Sequence, residues 1–310
     1  MTLRLPLRLG TRGSPLALAQ AHMVKAALAT AHPSLADDAA VEIQVVSTQG
    51  DRIQDRTLAE IGGKGLFTEE IEAGLLDGRL DLAVHSMKDM PTALPTGLVI
   101  SAVLERADPR DALIARGQRG IADLAQGAVV GTASLRRAAQ LRAVRPDLEV
   151  VPLRGNVQTR LRKLAAGEVH ATFLAMAGLI RLGLEDVVSA PLAPEEMLPA
   201  VAQGAIGIES RADDELVLGL LAAINHGPTM LRITTERAFL AVLDGSCRTP
   251  IAALAEIDGV QLRLRGLVAS PDGLAVERIE MAGGVDDCLT LGASAGSEIR
   301  ARLAPGFFAT

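Results

Sequence analysis

The chain of 310 residues contains no tryptophan, no tyrosine and only five phenylalanines. Proteins that bind single-stranded nucleic acid stack the bases on aromatic side chains, so this composition argues against that class of protein. Acidic residues number 37 and basic residues 31, which gives a formal net charge of −6. A protein with this charge has no broad basic surface for double-stranded nucleic acid, so we predict no nucleic-acid partner.

Cysteine is equally scarce, because Cys247 and Cys288 are the only two and cannot form a disulfide framework. The cysteines and histidines do not cluster with the spacing of zinc ligands, so we predict no metal site. Arginines interrupt every apolar run near the N-terminus, and a signal-peptide core is therefore absent. The longest apolar run, 171–180, is much shorter than the roughly 20 residues that span a bilayer. We expect a cytoplasmic protein that does not bind membranes.

Hydrophobic residues nevertheless make up 49% of the chain, which is ample for buried cores. Short apolar strands alternate with helical patterns up to about residue 225, and this predicts two α/β units with largely parallel sheets. Beyond that point, turn signals at 258–259 and 271–273 separate three strand-like segments, which predicts a small α+β domain with an antiparallel sheet. The predicted domains are 1–104 with 203–224, then 105–202, then 225–310.

Polar residues directly follow two predicted strands of the first unit, where open α/β sheets bind ligands. Arg12 and Ser14 lie at a helix N-terminus, whose backbone N–H groups favour an anion. The alternative is a simple helix cap beside a solvated arginine. Lys88 and Asp89 follow a buried strand, and an acid at such a place can exchange protons or stabilise a cation. The alternative is a surface ion pair.

Arginines follow two strands of the second unit. Arg136 and Arg137 lie in a first helical turn, where positive charge is unfavourable, so their natural use is to bind carboxylates or phosphates. Solvated arginines are the alternative. Small polar side chains precede this pair, and further arginines come after the next strand. The residues concerned are Thr132, Ser134, Arg154 and Arg160.

The thiol of Cys247 lies in a glycine-flanked polar loop, which suggests an accessible cysteine that is loaded covalently. A free cysteine is otherwise a small buried hydrophobe, and we assign that structural role to Cys288. The segment Gly62–Gly65 contains Lys64 but no following serine or threonine, so it is not a nucleotide-binding phosphate loop. These features predict an arginine-lined cleft for a polyanion, with one acid and one loop thiol.

Eight segments in the same order resemble the porphobilinogen deaminase family nearly end to end. They are TRGSPLALAQ (11–20), GGKGLFTEE (62–70), DLAVHSMKDMP (81–91), ERADPRDA (105–112), GTASLRR (131–137), LRGNVQTRL (153–161), LPAVAQGAIGIE (198–209) and GSCRTPIAA (245–253). The fold that this resemblance implies is α/β, with two doubly wound lobes like those of periplasmic binding proteins and a small α+β third domain. The resemblance also implies a function, which is to join four porphobilinogen molecules head to tail into hydroxymethylbilane with release of ammonia, as a cytoplasmic monomer.

The resemblance also implies a dipyrromethane cofactor, bound to Cys247 through a thioether. Asp89 and Lys88 become the catalytic residues, and both are also expected to contact the cofactor. Cofactor contacts are further expected from Arg136, Arg137, Ser134 and Thr132. Substrate contacts are expected from Arg12, Ser14, Lys64, Arg154, Arg160 and Arg181.

Four residues depart from the family pattern: Glu60 in place of a common lysine, Ala133 in place of serine, and Arg248 and Thr249 in place of a commoner Gln-Val after the cysteine. A different function stays open, that of a non-catalytic two-lobed anion-binding protein. Such a protein needs the arginines but neither Asp89 nor Cys247.

Overall fold

The computed structural model describes residues 5–52, 68–243, 249–304 and 306–308. Thirteen strands and nine helices lie within these ranges. In chain order they are β1 (Leu7–Arg12), α1 (Pro15–Ala31), β2 (Val41–Val46), α2 (Gln49–Arg52), α3 (Glu69–Leu76), β3 (Leu82–Ser86), β4 (Leu98–Val103), β5 (Asp111–Ala115), β6 (Val129–Gly131), α4 (Leu135–Val144), β7 (Glu149–Val151), α5 (Val157–Ala165), β8 (Ala171–Ala175), α6 (Met176–Arg181), β9 (Ala190–Pro191), β10 (Ile206–Arg211), α7 (Glu215–Ala222), α8 (Gly227–Val242), β11 (Ile251–Asp258), β12 (Gln261–Ala269), β13 (Val276–Gly284) and α9 (Cys288–Arg302).

The first compact unit comprises the described residues within Met1–Asp55, Gly63–Arg106 and Ala205–Met230. Its five-stranded sheet has the order β2-β1-β3-β10-β4. Strand β1 is parallel to β2 and β3, whereas β10 is antiparallel to both of its neighbours. The prediction of a largely parallel sheet is therefore wrong for half of the pairings. The chain enters β10 only after it has passed through the second unit, and it runs opposite to the strands on either side.

Helix α1 illustrates how the sequence builds this unit. The Ser14 side chain accepts a hydrogen bond from the Ala17 N–H, and Pro15 occupies the first helical position, as the sequence predicted. The buried residues Val24 and Leu28 share one helix face because they are four positions apart, and they pack in the same core as Leu82. Each such side chain contributes roughly 1.5–3 kcal/mol by leaving water.

The second compact unit comprises the described residues within Arg56–Gly62, Ala107–Gly204 and Leu231–Thr310. It contains a five-stranded sheet of order β7-β6-β8-β5-β9 and a three-stranded antiparallel sheet of order β11-β12-β13. Strand β6 is parallel to β7 and β8, while β5 is antiparallel to β8 and β9. The two mixed α/β sheets and the small antiparallel sheet confirm the predicted fold class. The boundaries of the three predicted domains stay a prediction.

Among the described helices, none alone has the length and apolar character to cross a membrane. The consecutive helices α7 and α8 pass that test only as a pair, and the chain bends by 111° between them.

Candidate active site

The carboxyl end of β3 carries Lys88 and Asp89 in a short 3₁₀ turn, Met87–Asp89. Asp89 is exposed and Lys88 is half-buried, whereas residues 82–85 of the strand are buried. The buried strand therefore presents a carboxylate and an ammonium group directly at its end, as the sequence predicted from the abrupt change of polarity.

Hydrogen bonds and close packing hold Ser86, which precedes this turn, and Met87, which begins it. Gln20 on α1 donates to Ser86 Oγ at 2.9 Å, and Ser86 Oγ donates back to Gln20 Oε1 at 3.1 Å. The Met87 backbone N–H donates to the Ala205 carbonyl at 3.1 Å. Met87 also packs so closely on Gly207 that a Cβ atom there would lie 2.0 Å from the Met87 sulfur. The position of Asp89 is thus set by α1 and by the start of β10.

His85, which directly precedes Ser86 on β3, belongs to a buried cluster with two acidic residues. His85 Nε2 is 3.0 Å from Glu209 Oε2 on β10, and both side chains are buried. Glu72 on α3 is buried as well, and burial raises its pKa above the ordinary value, an effect to which the nearby Glu209 carboxylate adds. Among the described residues, no group of three or more such side chains is arranged to hold a metal ion.

Arg12 and Ser14 lie at the carboxyl end of β1. Arg12 is the last residue of the strand, which extends two residues beyond the end predicted at Gly10, and its side chain is half-buried. Ser14 Oγ accepts from the Ala17 N–H at 3.2 Å, so the helix cap is present. The predicted substrate contacts of both residues stay predictions.

In the second unit, Arg136 and Arg137 follow β6 in the first turn of α4, and both side chains are buried. Arg136 Nη1 lies 2.7 Å from Asp111 Oδ2, and Arg137 Nη2 lies 2.7 Å from Asp111 Oδ1. The two arginines also donate to the backbone carbonyls of Leu198 and Phe173. They are therefore not the solvated arginines that we held as the alternative.

The charges of this cluster do not cancel, because two guanidinium groups face one carboxylate. Burial would raise the pKa of Asp111, but Arg136 and Arg137 lower it well below its ordinary value, so Asp111 is ionised. The cluster thus carries one net positive charge in a buried place. The Nε atoms of both arginines are buried and have no hydrogen-bond partner in the structure. An anionic ligand would supply the missing charge and the missing acceptors.

Two further arginines of this unit show the same incomplete pairing. Arg154 follows β7, and its buried Nη1 has no hydrogen-bond partner. Arg181 ends α6, where Nη2 donates to the Gly204 carbonyl at 2.6 Å while the buried Nε has no partner. Burial lowers the pKa of Arg181 to about 10, so the group remains charged at neutral pH. Both arginines therefore offer buried donors to an anion.

The remaining predicted residues of the second unit make local hydrogen bonds, and their predicted ligand contacts stay predictions. Thr132 Oγ1 accepts from the Ser134 N–H at 3.2 Å, and Ser134 Oγ accepts from the Arg137 N–H at 3.4 Å. Arg160 Nε donates to the Gly155 carbonyl at 2.8 Å. The first two contacts lie at the N-terminus of α4, which carries Arg136 and Arg137, and the third lies beside Arg154. Lys64 and Cys247, with the departures Glu60 and Arg248, lie outside the described residues.

Sequence reasoning missed the partners of the arginine pair. Asp111 begins β5, and Gln203 donates to its Oδ1 at 2.9 Å. One signal was available, since two adjacent arginines in a first helical turn need a nearby carboxylate. The sequence does not reveal which acid supplies it, because Asp111 and Arg137 are 26 residues apart.

Two family models match the chain. The model described as porphobilinogen deaminase, dipyromethane cofactor binding domain, matches residues 7–219. The model described as porphobilinogen deaminase, C-terminal domain, matches residues 230–301. Together the two matches include residues of both compact units and span most of the chain.

Curated relatives are similar over nearly the whole chain. The porphobilinogen deaminase of Paracoccus denitrificans is 57% identical over 303 residues, which are 98% of this chain and 96% of the relative. The chloroplastic porphobilinogen deaminase of Oryza sativa is 53% identical over 97% of this chain and 85% of the relative. Among solved structures, a TRAP periplasmic solute-binding protein of Desulfovibrio salexigens is 11% identical with a TM-score of 0.42, over 71% of this chain and 72% of that protein.

Proposed function

The chain belongs to the porphobilinogen deaminase family, and from that premise we propose that Asp89 is its catalytic carboxylate and Cys247 its cofactor attachment site. The chain is a transferase of tetrapyrrole biosynthesis, and its cofactor is dipyrromethane. The reaction joins porphobilinogen units head to tail and releases ammonia. The alternative of a non-catalytic anion-binding protein is not favoured, because relatives more than half identical over the full chain bear the enzyme's name.

The residues of the second unit fit a dipyrromethane. Each pyrrole ring carries an acetate and a propionate, so the cofactor needs fixed cations in a buried place. One observation carries the assignment: six described arginines have a buried guanidinium nitrogen without a hydrogen-bond partner, and four of the six, Arg136, Arg137, Arg154 and Arg181, are residues that the sequence predicted to bind cofactor or substrate. Arg136 and Arg137 would hold the cofactor, with Thr132, Ser134, Lys88 and Asp89 as further contacts. When bound, the dipyrromethane supplies the free pyrrole α-carbon to which the first porphobilinogen is joined.

Asp89 serves as the proton donor, the counter-ion and the proton acceptor in turn. As general acid, Asp89 gives a proton to the amino group of porphobilinogen, which leaves as ammonia. The carboxylate that results stabilises the cation left on the substrate and accepts the pyrrole N–H. After the new carbon–carbon bond forms, the same carboxylate takes the proton from the substituted α-carbon and returns to its starting state. Exposure of Asp89 at the end of β3 supports this role because it lets substrate reach the carboxyl.

The arginines and Lys88 bind carboxylates rather than react. Each added ring brings two more negative charges, so a product of several rings needs cations along its whole length. Arg12, Ser14, Lys64, Arg154, Arg160 and Arg181 are proposed to hold the substrate rings, and Lys88 assists beside Asp89. Arginine suits this task because its planar group binds a carboxylate through two parallel hydrogen bonds. We further propose that the chain acts on porphobilinogen as a cytoplasmic monomer without nucleic-acid or membrane partners. The net charge of −6 and the absence of tryptophan and tyrosine support the lack of a nucleic-acid partner.

Intact-mass measurement of the denatured protein tests the proposal. The parent protein and Cys288→Ala, the matched control, should both carry the mass of two additional pyrrole units, whereas Cys247→Ala should carry none. Asp89→Asn should fold and bind porphobilinogen but lose almost all turnover. If an active parent protein has an unmodified mass, the proposal that a cofactor is attached to Cys247 is wrong. Near-parental turnover of Asp89→Asn would remove Asp89 from the mechanism.

A further inference from the structure

Asp111 is the most deeply buried charged group beside the proposed cofactor arginines, and the reaction described above does not use it. Its side chain is fully buried at the start of β5. Each carboxylate oxygen contacts a different guanidinium group, Oδ2 that of Arg136 and Oδ1 that of Arg137. One carboxylate therefore holds two arginines that would otherwise repel each other across a buried space.

Gln203 fixes this carboxylate from the other side. Its Nε2 atom donates to Asp111 Oδ1 at 2.9 Å and to the Pro109 carbonyl at 2.8 Å. Arg136 also donates to the Leu198 carbonyl, and Arg137 donates to the Phe173 carbonyl. Each guanidinium therefore contacts the Asp111 carboxylate and one backbone carbonyl. Of the five N–H donors that each guanidinium carries, the Nε–H group is buried and has no hydrogen-bond partner.

We propose that Asp111, fixed by Gln203, is a positioning residue that keeps the Nε–H groups of Arg136 and Arg137 oriented toward ligand carboxylates before any ligand is bound. This inference rests on the proposed function of the arginine pair. Arginine side chains carry about 2 kcal/mol of rotamer entropy, so a pair already held in place loses less freedom when a carboxylate arrives. Because Asp111 cancels only one of the two positive charges, the pair still attracts an anion.

The experiment replaces Asp111 by asparagine, which keeps the shape and removes the charge. Asp108→Asn is the matched control, since Asp108 also pairs with an arginine, Arg110 Nη2 at 2.6 Å, but at a more exposed place. Intact mass reports the fraction of protein that carries the cofactor. We expect the ratio of cofactor-loaded to unloaded protein to fall about tenfold in Asp111→Asn and to keep its parental value in Asp108→Asn.

A second readout does not depend on the cofactor. In the Cys247→Ala background, NMR of arginine side chains reports whether individual Nε–H groups are ordered, with Arg136→Lys and Arg137→Lys used to assign the signals. We expect sharp, slowly exchanging Nε–H signals for the pair when Asp111 is present, and their loss in Asp111→Asn. If that variant does not fold, Gln203→Ala takes its place, and the same losses are expected.

The outcomes separate the inference from the proposed function. Normal loading and unchanged Nε–H signals in Asp111→Asn, or in Gln203→Ala if only that folds, would overturn the positioning role. Loss of loading in Arg137→Gln would then still support the arginine pair as the cofactor site. Full loading in Arg136→Gln and Arg137→Gln would instead overturn the proposed function of the pair.

Discussion

Replacing Gly207 by alanine should disturb catalysis far more than stability. The added methyl group would lie 2.0 Å from Met87 Sδ and 3.0 Å from Met87 Cγ. Non-bonded atoms of this kind sit about 3.5–4.0 Å apart, so the sulfur must move by roughly 1.5–2 Å. Met87 is buried, so it has little room to move without shifting its own backbone. The backbone of Met87 leads directly into Lys88 and Asp89.

The expected magnitudes differ for the two properties. Overpacking of a buried site costs about 1–3 kcal/mol of unfolding free energy. A displacement of about 1 Å in a catalytic group costs about 100-fold in rate. We therefore expect Gly207→Ala to remain folded at 25 °C and to lose about 100-fold in kcat for porphobilinogen consumption. Urea unfolding and the fraction of cofactor-loaded protein are measured on the same samples.

Two further variants test whether the contact with Met87 causes the loss of kcat. Gly219→Ala is the matched control, because a methyl group there meets no atom within 4 Å on the exposed face of α7. That change should stabilise the helix by about 0.5–1 kcal/mol and leave kcat at the parental value. In a Met87→Ala background the clash is gone, so Gly207→Ala should have little further effect on kcat. A kcat of Gly207→Ala equal to that of Gly219→Ala, or an equal loss in both backgrounds, would refute the reasoning.

Two predictions concern stability. Burial raises the pKa of Glu72 above 4.5, so the folded protein keeps a proton that the unfolded chain releases. The stability of the parent relative to Glu72→Gln should therefore fall as pH rises above that value, by at most about 1.4 kcal/mol per pH unit, until the folded carboxyl also ionises. Urea unfolding of both proteins at pH 5 and pH 8 checks this, and a constant difference would contradict it. Gly204→Ala should lower the stability of the folded protein more than Gly127→Ala does. Both glycines have positive φ, but only at Gly204 would the methyl group meet a backbone atom, Ala107 O at 2.5 Å. Thermal unfolding compares the two variants, and equal losses would mean that the contact with Ala107 carries no cost.

Local patterns predicted the fold well wherever one segment determines its own conformation. The strand at Ala171–Ala175 was predicted with the bounds that it has, and the cap at Ser14 was predicted from its side chain and the proline after it. Strands β5 and β10 were not predicted, since each begins just after an irregular crossing between the two units. Their antiparallel pairing depends on which neighbours the returning chain meets, and residue spacing does not contain that information.

The same division applies to the candidate site. Strand ends indicated where Asp89, Arg136 and Arg137 would lie, because ligand-binding residues gather at the carboxyl ends of parallel strands. The counter-charge of the arginine pair could not be predicted, since Asp111 and Gln203 reach it only through the folded chain. A sequence reports which groups are charged, whereas the number of partners that each charge finds is a property of the fold.

The net charge of the chain shows why that distinction matters for function. A total of −6 suggests a protein that repels polyanions. The charge close to a binding site matters more than the total, because buried charges act strongly on near neighbours while exposed charges are screened within about 8–10 Å. Arg136, Arg137 and Asp111 leave one buried positive charge and two unpartnered N–H groups in a small volume. A carboxylate that entered this volume, as we propose for the cofactor, would meet that local charge rather than the average over the surface, which is how an acidic protein would hold a polyanionic ligand.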